Sequence, residues 1–99
     1  MKTNTDFAKF LSKFLSGYLP LERNMSPNTI LSYRDTFVQF ISYMRDEQKI
    51  QVDKLTLDKM TKEVVLDFLN WVQNKRNCGI DTRNYRLAAI HSFIMYLQY

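Results

Sequence analysis

The sequence predicts an all-α fold, a compact orthogonal bundle of four helices, and three observations support this prediction. Glycine and proline occur only twice each, which is too few for the many turns of an all-β domain. The strong helix formers Leu, Lys, Met and Gln are plentiful. Apolar residues recur at helical spacing in four separate segments. A chain of 99 residues, 45% of them apolar, has the size of one domain, which we expect to span residues 1–99.

The first two segments carry clear start and stop signals. Apolar residues at i, i+3 and i+4 spacing predict a helix from Asp6 to about Tyr18, with Thr5 or Asp6 at its N-cap and an end at Gly17 and Pro20. Serine followed by proline starts the second helix at Ser26, and it is expected to end near Glu47. Its predicted apolar stripe is Ile30, Tyr33, Phe37, Phe40, Ile41 and Met44, and its opposite, polar face is Asn28, Thr29, Ser32, Asp35, Thr36 and Gln39.

The second half of the chain predicts an ordered connector and two more helices. Residues 48–60 are expected to pack on the core through Val52, Leu55, Leu57 and Met60. The third helix is predicted to begin after Thr61 as N-cap and to end by Gly79, with Val65, Phe68, Leu69 and Val72 buried. The fourth is predicted from Ile80 to Gln98, with the stripe Leu87, Ile90, Ile94 and Leu97, and Ala89, Phe93 and Tyr96 beside it.

Charge and composition restrict the classes of function. The net charge is +4, and residues 75–99 carry four basic side chains against Asp81 alone, which suggests a polyanionic partner. One cysteine, Cys78, cannot close an internal disulfide, and with one histidine, His91, the chain lacks the ligands of a metal site. No apolar run is long enough for a membrane span and no signal peptide opens the chain. We therefore expect a cytoplasmic protein that needs no cofactor, metal or membrane.

Two helix beginnings carry the side chains suited to nucleic acid. Arginine and asparagine can contact guanine and adenine edges with two hydrogen bonds, and hydroxyl groups at helix N-termini suit phosphate oxygens. These residue types could equally cap helices, remain solvated or pair with nearby acids such as Asp81. The candidates for DNA contact are Ser26, Asn28, Thr29, Ser32 and Arg34 on the second helix, and Thr82, Arg83, Asn84, Arg86 and His91 on the fourth.

Two stretches of the sequence resemble the core-binding domain of the tyrosine recombinases, the phage integrase family. Ser-Pro-Asn-Thr at 26–29, followed by Tyr33 and the pair Phe37 and Phe40, is similar to the opening of that domain. The stretch Thr82–Phe93, followed by Tyr96 and Leu97, is similar to the family pattern Thr-x-Asn-x-Arg-Leu-x-Ala-[Ile/Leu]-Arg-Ser-Phe. The resemblance covers nearly the whole chain, from about Phe7 to Tyr99. Its second stretch is the more specific, because it runs over twelve positions without a gap.

The resemblance implies a SAM-like fold whose second and fourth helices contact double-stranded DNA in DNA integration and recombination. It implies a bacterial or phage origin, a C-terminal catalytic domain in the same parent chain, and assembly with other recombinase protomers on DNA. The family's tyrosine nucleophile and basic pocket belong to that other domain, so this fragment is expected to have no catalytic site. His91 stands where the family has arginine, Gly79 stands where it has a serine cap, and Asp81 would repel a nearby phosphate.

Two other functions remain open at this point. Helical bundles of this kind also serve as protein–protein interaction modules. A regulatory or directionality protein could bind DNA without a catalytic partner. Salt dependence distinguishes DNA binding from a hydrophobic protein partner, because contacts with several phosphates weaken steeply as salt rises.

Overall fold

Four helices make up most of the residues that the structure, a computed structural model, describes, namely 5–75 and 79–98. They are α1 (Asp6–Lys13), α2 (Pro27–Asp46), α3 (Lys62–Lys75) and α4 (Ile80–Leu97). No strand occurs within those residues, and the all-α, four-helix prediction is confirmed. Cys78, the single thiol of the chain, lies outside the described residues.

Side-chain caps begin three of the helices. The hydroxyl of Thr5 accepts from the amide of Ala8 at the start of α1. Ser26 caps α2 in the same way, with its Oγ 3.3 Å from the amide nitrogen of Thr29, and Thr61 Oγ1 accepts from the third residue of α3 at 3.1 Å. The predicted caps at Ser26 and Thr61 are therefore confirmed. Helix α4 starts after Gly79, which has no side chain to offer.

The end predicted for the first helix is wrong. The chain continues from α1 into a π-helical segment, Phe14–Glu22, which includes both Gly17 and Pro20. Phe14 and Leu19 are fully buried in this segment and lie five residues apart. An i to i+5 hydrogen-bond pattern places such a pair on the same side of the helix, so burial of both residues favours the wider winding. The segment ends at Arg23, whose amide donates to the carbonyl of Tyr18.

The buried faces of α2 and α3 follow their sequence patterns more closely than that of α4. The residues buried on α3 are those predicted. Thr36, assigned to the polar face of α2, is completely buried, because this side of α2 packs against α4. On α4 the predicted stripe is rotated: Ala89, Ile90 and Phe93 are buried, while Leu87 and Ile94 are only partly covered.

The connector between α2 and α3 is ordered, as predicted, and contains two 3₁₀ turns, Val52–Lys54 and Leu57–Lys59. Leu55 between them is fully buried, and Leu57 and Met60 pack against the core. Val52 is 42% exposed, so its expected packing role is wrong. The first 3₁₀ turn directs this side chain away from the core.

Six fully buried phenylalanines join all the helices into one core. Ring centroids of Phe14 and Phe93 lie 5.2 Å apart, as do those of Phe37 and Phe93 and those of Phe40 and Phe68. Such tilted and edge-on pairs each add about 0.5–1.5 kcal/mol to the burial of their area. The six residues are Phe7, Phe14, Phe37, Phe40, Phe68 and Phe93.

The helices pack into a flat molecule whose Cα extents are 37 × 34 × 22 Å. Helix α4 lies against both α2 and α3, so its two sides border two different grooves. Over the described part of the chain, no helix has both the length and the apolar character that crossing a bilayer requires.

We predict that Phe37→Ala lowers the free energy of unfolding by about 3–5 kcal/mol, because it removes a fully buried ring and leaves a cavity. Chemical denaturation followed by circular dichroism measures this. Val38→Ala is the matched control, because Val38 is the next residue in α2 and its side chain is 51% exposed. Equal stability of the two variants would contradict the assignment of the core.

Candidate nucleic-acid interface

An open groove of about 400 Å³ runs between α2 and the first turns of α4. It brings together Ser32 of α2 with Thr82 and Arg86 of α4, three of the residues predicted to contact DNA. Its lining residues are Leu31, Ser32, Asp35, Thr82, Tyr85 and Arg86. The two helix faces that the sequence singled out are therefore adjacent in the fold.

A polar network connects the two helices at the floor of this groove. Arg86 Nη1 donates to Asp35 Oδ2 and to Thr36 Oγ1, both at 3.3 Å. Gln39 Nε2 donates to the same Asp35 oxygen at 3.1 Å. The side chain of Arg86 is 14% exposed and that of Asp35 is 57% exposed. The arginine is thus covered by protein, while the carboxylate it holds is open to solvent.

The network leaves two buried polar atoms unsatisfied. Arg86 Nε and Gln39 Oε1 have no hydrogen-bond partner within the described residues. A buried polar group without a partner costs about 1–3 kcal/mol, and a charged group more. Filling the space between α2 and α4 with this arginine therefore costs free energy, which suggests that Arg86 has a role beyond packing.

Asp35 is the charged groove residue that sequence reasoning missed; Leu31 and Tyr85, which also line the groove, were not candidates either. It was placed on the polar face of α2 but was not counted among the candidates. A signal existed, because Asp35 lies three residues after Ser32, on the same helix face. Its partner Arg86 is 51 residues away in the sequence, so the pairing itself could not be predicted from helical spacing.

Leu31 and Tyr85 form the apolar part of the groove. Tyr85 is 42% exposed, and its ring meets that of Tyr33 edge-on at 6.1 Å. The hydroxyl of Tyr33 lies 3.4 Å from Ser92 Oγ on α4. Leu31 is 57% exposed. An exposed tyrosine and leucine beside polar groups are suited to contact with a partner that has both apolar and polar edges.

The N-terminus of α2 carries three more of the predicted residues. The hydroxyl oxygens of Ser26 and Thr29 lie 3.0 Å apart, and Ser26 also caps the helix. These hydroxyls therefore have structural roles that do not require DNA. Asn28 is exposed in the first turn of α2.

The other predicted residues lie away from the groove. Arg83 Nη2 donates to Asn70 Oδ1 of α3 at 3.1 Å, so Arg83 is bonded to α3 whereas Arg86 is bonded to α2. Arg34 and Asn84 are exposed, and neither lines the groove. His91 borders a second, mainly apolar groove of about 350 Å³ between α3 and α4. That groove is lined by Met60, Lys62, Val65, Leu66, Leu87, Ile90, His91 and Ile94.

Within residues 5–75 and 79–98, no three His, Cys, Asp or Glu side chains are close enough together to bind a metal ion. The carboxylate of Asp35 accepts hydrogen bonds from an arginine and a glutamine. With the exposed side chains of Leu31 and Tyr85 in its lining, the groove offers hydrogen bonding, charge and apolar contact.

The family described as phage integrase, N-terminal SAM-like domain, matches residues 11–98. The chain belongs to this family. The match includes α2, α3, α4 and their connections, so the SAM-like assignment made from the sequence is confirmed. No solved structure is significantly similar to this SAM-like domain.

Relatives of this SAM-like domain are recombinases. The candidate integrase/recombinase y4rC of Sinorhizobium fredii is 32% identical over 96 residues, which cover 97% of this chain and 29% of that protein. Tyrosine recombinase XerC of Herpetosiphon aurantiacus is 33% identical over 89% of this chain and 26% of that protein. Tyrosine recombinase XerD of Oceanobacillus iheyensis is 28% identical over 79% of this chain and 26% of that protein. The chain thus spans less than a third of the length of these relatives.

We predict a coupling energy of about 0.2–1 kcal/mol between Asp35 and Arg86, because one partner is largely solvated and solvent screens such a pair. A double-mutant cycle of Asp35→Ala and Arg86→Ala in chemical denaturation measures it. A coupling of several kcal/mol would show instead that the pair is mainly a stabilising element of the fold.

Proposed function

We propose that this domain binds double-stranded DNA across the α2–α4 groove, as the core-binding part of a site-specific tyrosine recombinase. The observation that carries the proposal is the meeting of Ser32, Thr82 and Arg86, from two helices, in one open groove. Membership of the integrase family makes DNA the partner to test first. The catalytic domain and the other recombinase protomers are part of the same proposal, with residues 1–99 as the DNA-binding unit.

The dimensions of the domain suit a duplex. Its broad face measures 37 × 34 Å, close to one helical turn of B-DNA, which is about 34–36 Å. An α-helix fits into the major groove, and α4 presents its N-terminal turns at the edge of the α2–α4 groove. The positive end of the α4 dipole and the hydroxyl of Thr82 would favour phosphate there.

The remaining predicted contacts surround the groove. Exposed amides of Asn28 and Asn84 can donate to base edges or phosphates. Arg34 and Arg83 would supply charge to phosphates on either side. Ser26 and Thr29 lie at the start of α2, and His91 lies in the middle of α4. These three residues are proposed only as contacts with the phosphate backbone of DNA. In this arrangement the groove centre meets base edges and the flanking cations meet the phosphate backbone.

The tyrosines support a role in binding rather than in chemistry. Tyr33 is buried. Tyr18 and Tyr96 pack together at 4.8 Å between ring centroids and lie against the core. The hydroxyl of Tyr18 has a cation beside it, Arg23, whereas a tyrosine nucleophile for phosphoryl transfer needs several cations around the phosphate. We therefore propose that cleavage and joining of DNA belong to a separate catalytic domain.

A protein–protein interaction module is the second candidate function. The groove between α3 and α4 favours it, because Leu66 is 44% exposed there beside Met60, Leu87 and Ile94. Apolar grooves of this kind accommodate partner helices. The two functions use different faces of α4.

The two candidate functions differ in their salt dependence. We predict that the association constant for a 30-base-pair duplex falls steeply between 50 and 200 mM salt, by about 10³-fold if six phosphates are neutralised. Fluorescence anisotropy titrations at four salt concentrations measure this slope. An association constant independent of salt would contradict DNA binding through phosphates.

We predict that Thr82→Glu weakens duplex binding by about tenfold or more, because it places a carboxylate opposite phosphate. The fold should tolerate this change, since a negative side chain in the first turn of α4 is favourable to the helix dipole. Ser12→Glu is the matched control, because Ser12 is exposed on α1 and does not line the groove. Equal losses for the two variants would show only a general charge effect and would remove the α2–α4 groove from the interface.

A further inference from the structure

We propose that Asp35 is a base-contacting residue whose free carboxylate oxygen accepts a hydrogen bond from the amino group of a cytosine in the major groove. This inference rests on the proposed DNA binding and deepens it. It assigns a sequence preference to the centre of the α2–α4 groove, beyond the contacts proposed for Ser32, Thr82 and Arg86.

The first support is that the carboxylate is held in place. Gln39 and Arg86 approach the same oxygen, Oδ2, from two different helices, at 3.1 and 3.3 Å. Within the described residues, the other oxygen, Oδ1, has no hydrogen-bond partner. An acceptor that is fixed before binding loses little side-chain entropy when it contacts a ligand. Asp35 thus offers one oriented acceptor to the groove.

The second support is the place of this charge on the surface. The Asp35 side chain is 57% exposed and lines the groove together with Leu31 and Tyr85. Phosphate would be repelled by this carboxylate, and Arg86, the cation that lines the groove beside it, is already bonded to Asp35. If a duplex lies across this groove, Asp35 must therefore face the base edges between the two backbones. Leu31 and Tyr85 beside it are suited to the methyl group of thymine.

The chemistry of the base edges selects cytosine. In the major groove, guanine presents only the acceptors N7 and O6, and thymine presents the acceptor O4, all of which repel a carboxylate. Adenine presents one donor, N6, directly beside the acceptor N7. Cytosine presents the N4 amino group, which donates to Asp or Glu without an adjacent acceptor on the same base.

This inference also gives Arg86 and Gln39 a defined role as positioning residues. Arg86 Nη1 already donates hydrogen bonds to Asp35 and Thr36. The side chain of Arg86 is largely covered, so it acts on a partner in the groove mainly by orienting the carboxylate of Asp35. This arrangement costs free energy, because it buries Arg86 Nε and Gln39 Oε1 without a hydrogen-bond partner among the described residues. An apolar pair would fill the same space without that cost but would leave Asp35 without its two donors.

The test is a selection from 30-base-pair duplexes with a randomised core, performed with the 99-residue chain and its variants. We expect the unmodified chain to enrich cytosine at one position by about fivefold, as one directional contact would. Asp35→Asn should shift that position from cytosine toward guanine, because the amide oxygen stays with the donors Arg86 and Gln39 and the free NH2 group pairs with the acceptors of guanine. Asp35→Ala should lose the preference there. Asp67→Asn is the matched control, because it removes an exposed carboxylate from α3, outside the groove.

A second variant separates positioning from contact. Gln39→Met keeps the length of the side chain and removes the donor to Asp35, so it should reduce the cytosine preference by more than it reduces affinity for a non-selected duplex. A merely structural role of Gln39 would alter thermal stability without altering the selected base.

The outcomes distinguish this inference from the function on which it rests. If the Asp35 variants select the same sequences as the unmodified chain, or if that chain binds duplexes without any cytosine preference, the role of Asp35 is overturned while DNA binding stands. If the chain binds no duplex even at low salt, the proposed function fails and this inference fails with it.

Discussion

The packing of α4 against α2 is the contact on which the rest of the structure depends. Phe93 of α4 meets Phe37 of α2 edge-on at 5.2 Å, and Phe14 of the π-helical segment contacts both rings. These rings fix the rotation of α4 about its axis. Because Arg86 lies seven residues before Phe93, it shares that face of the helix and is carried toward α2. The same rotation turns His91 toward the groove with α3.

The polar network at this contact adds orientation rather than much stability. A partly solvated ion pair contributes little, and two buried atoms of the network have no partner in the described part of the chain. Such a cost is common at sites that serve a function. In this domain the network connects the aromatic core with an exposed carboxylate, so the packing of the helices determines what the groove presents to a partner.

The sequence predicted most of the helices and most of the buried residues, because both follow from the local spacing of apolar side chains. Ser26 before a proline gives the start of α2, and the spacing of Phe68, Leu69 and Val72 gives the buried face of α3. The π-helical segment was not predictable in this way. Apolar residues from Phe7 to Tyr18 also fit α-helical spacing, and only the burial of Leu19 together with Phe14 distinguishes the wider winding.

The sequence predicted which helices form the candidate site, but it did not predict the side-chain contacts between them. The N-terminal parts of α2 and α4 were identified, but Arg83 and Arg86 were treated as one cluster, although they bond to α3 and α2 respectively. Thr36 was assigned to solvent because its chemistry is polar, whereas its hydroxyl is buried and accepts a hydrogen bond from Arg86. Both differences have one physical origin, because partners distant in the sequence decide where polar side chains on a helix point.

Chemical-shift mapping of the amides during titration with duplex DNA tests the central claim most directly, because it locates the interface without a variant. DNA binding across the α2–α4 groove predicts the largest changes at Ser32, Asp35, Thr82 and Tyr85, with Leu66 and Ile94 of the other groove little affected. Changes confined to the groove between α3 and α4, or no changes at low salt, would contradict it.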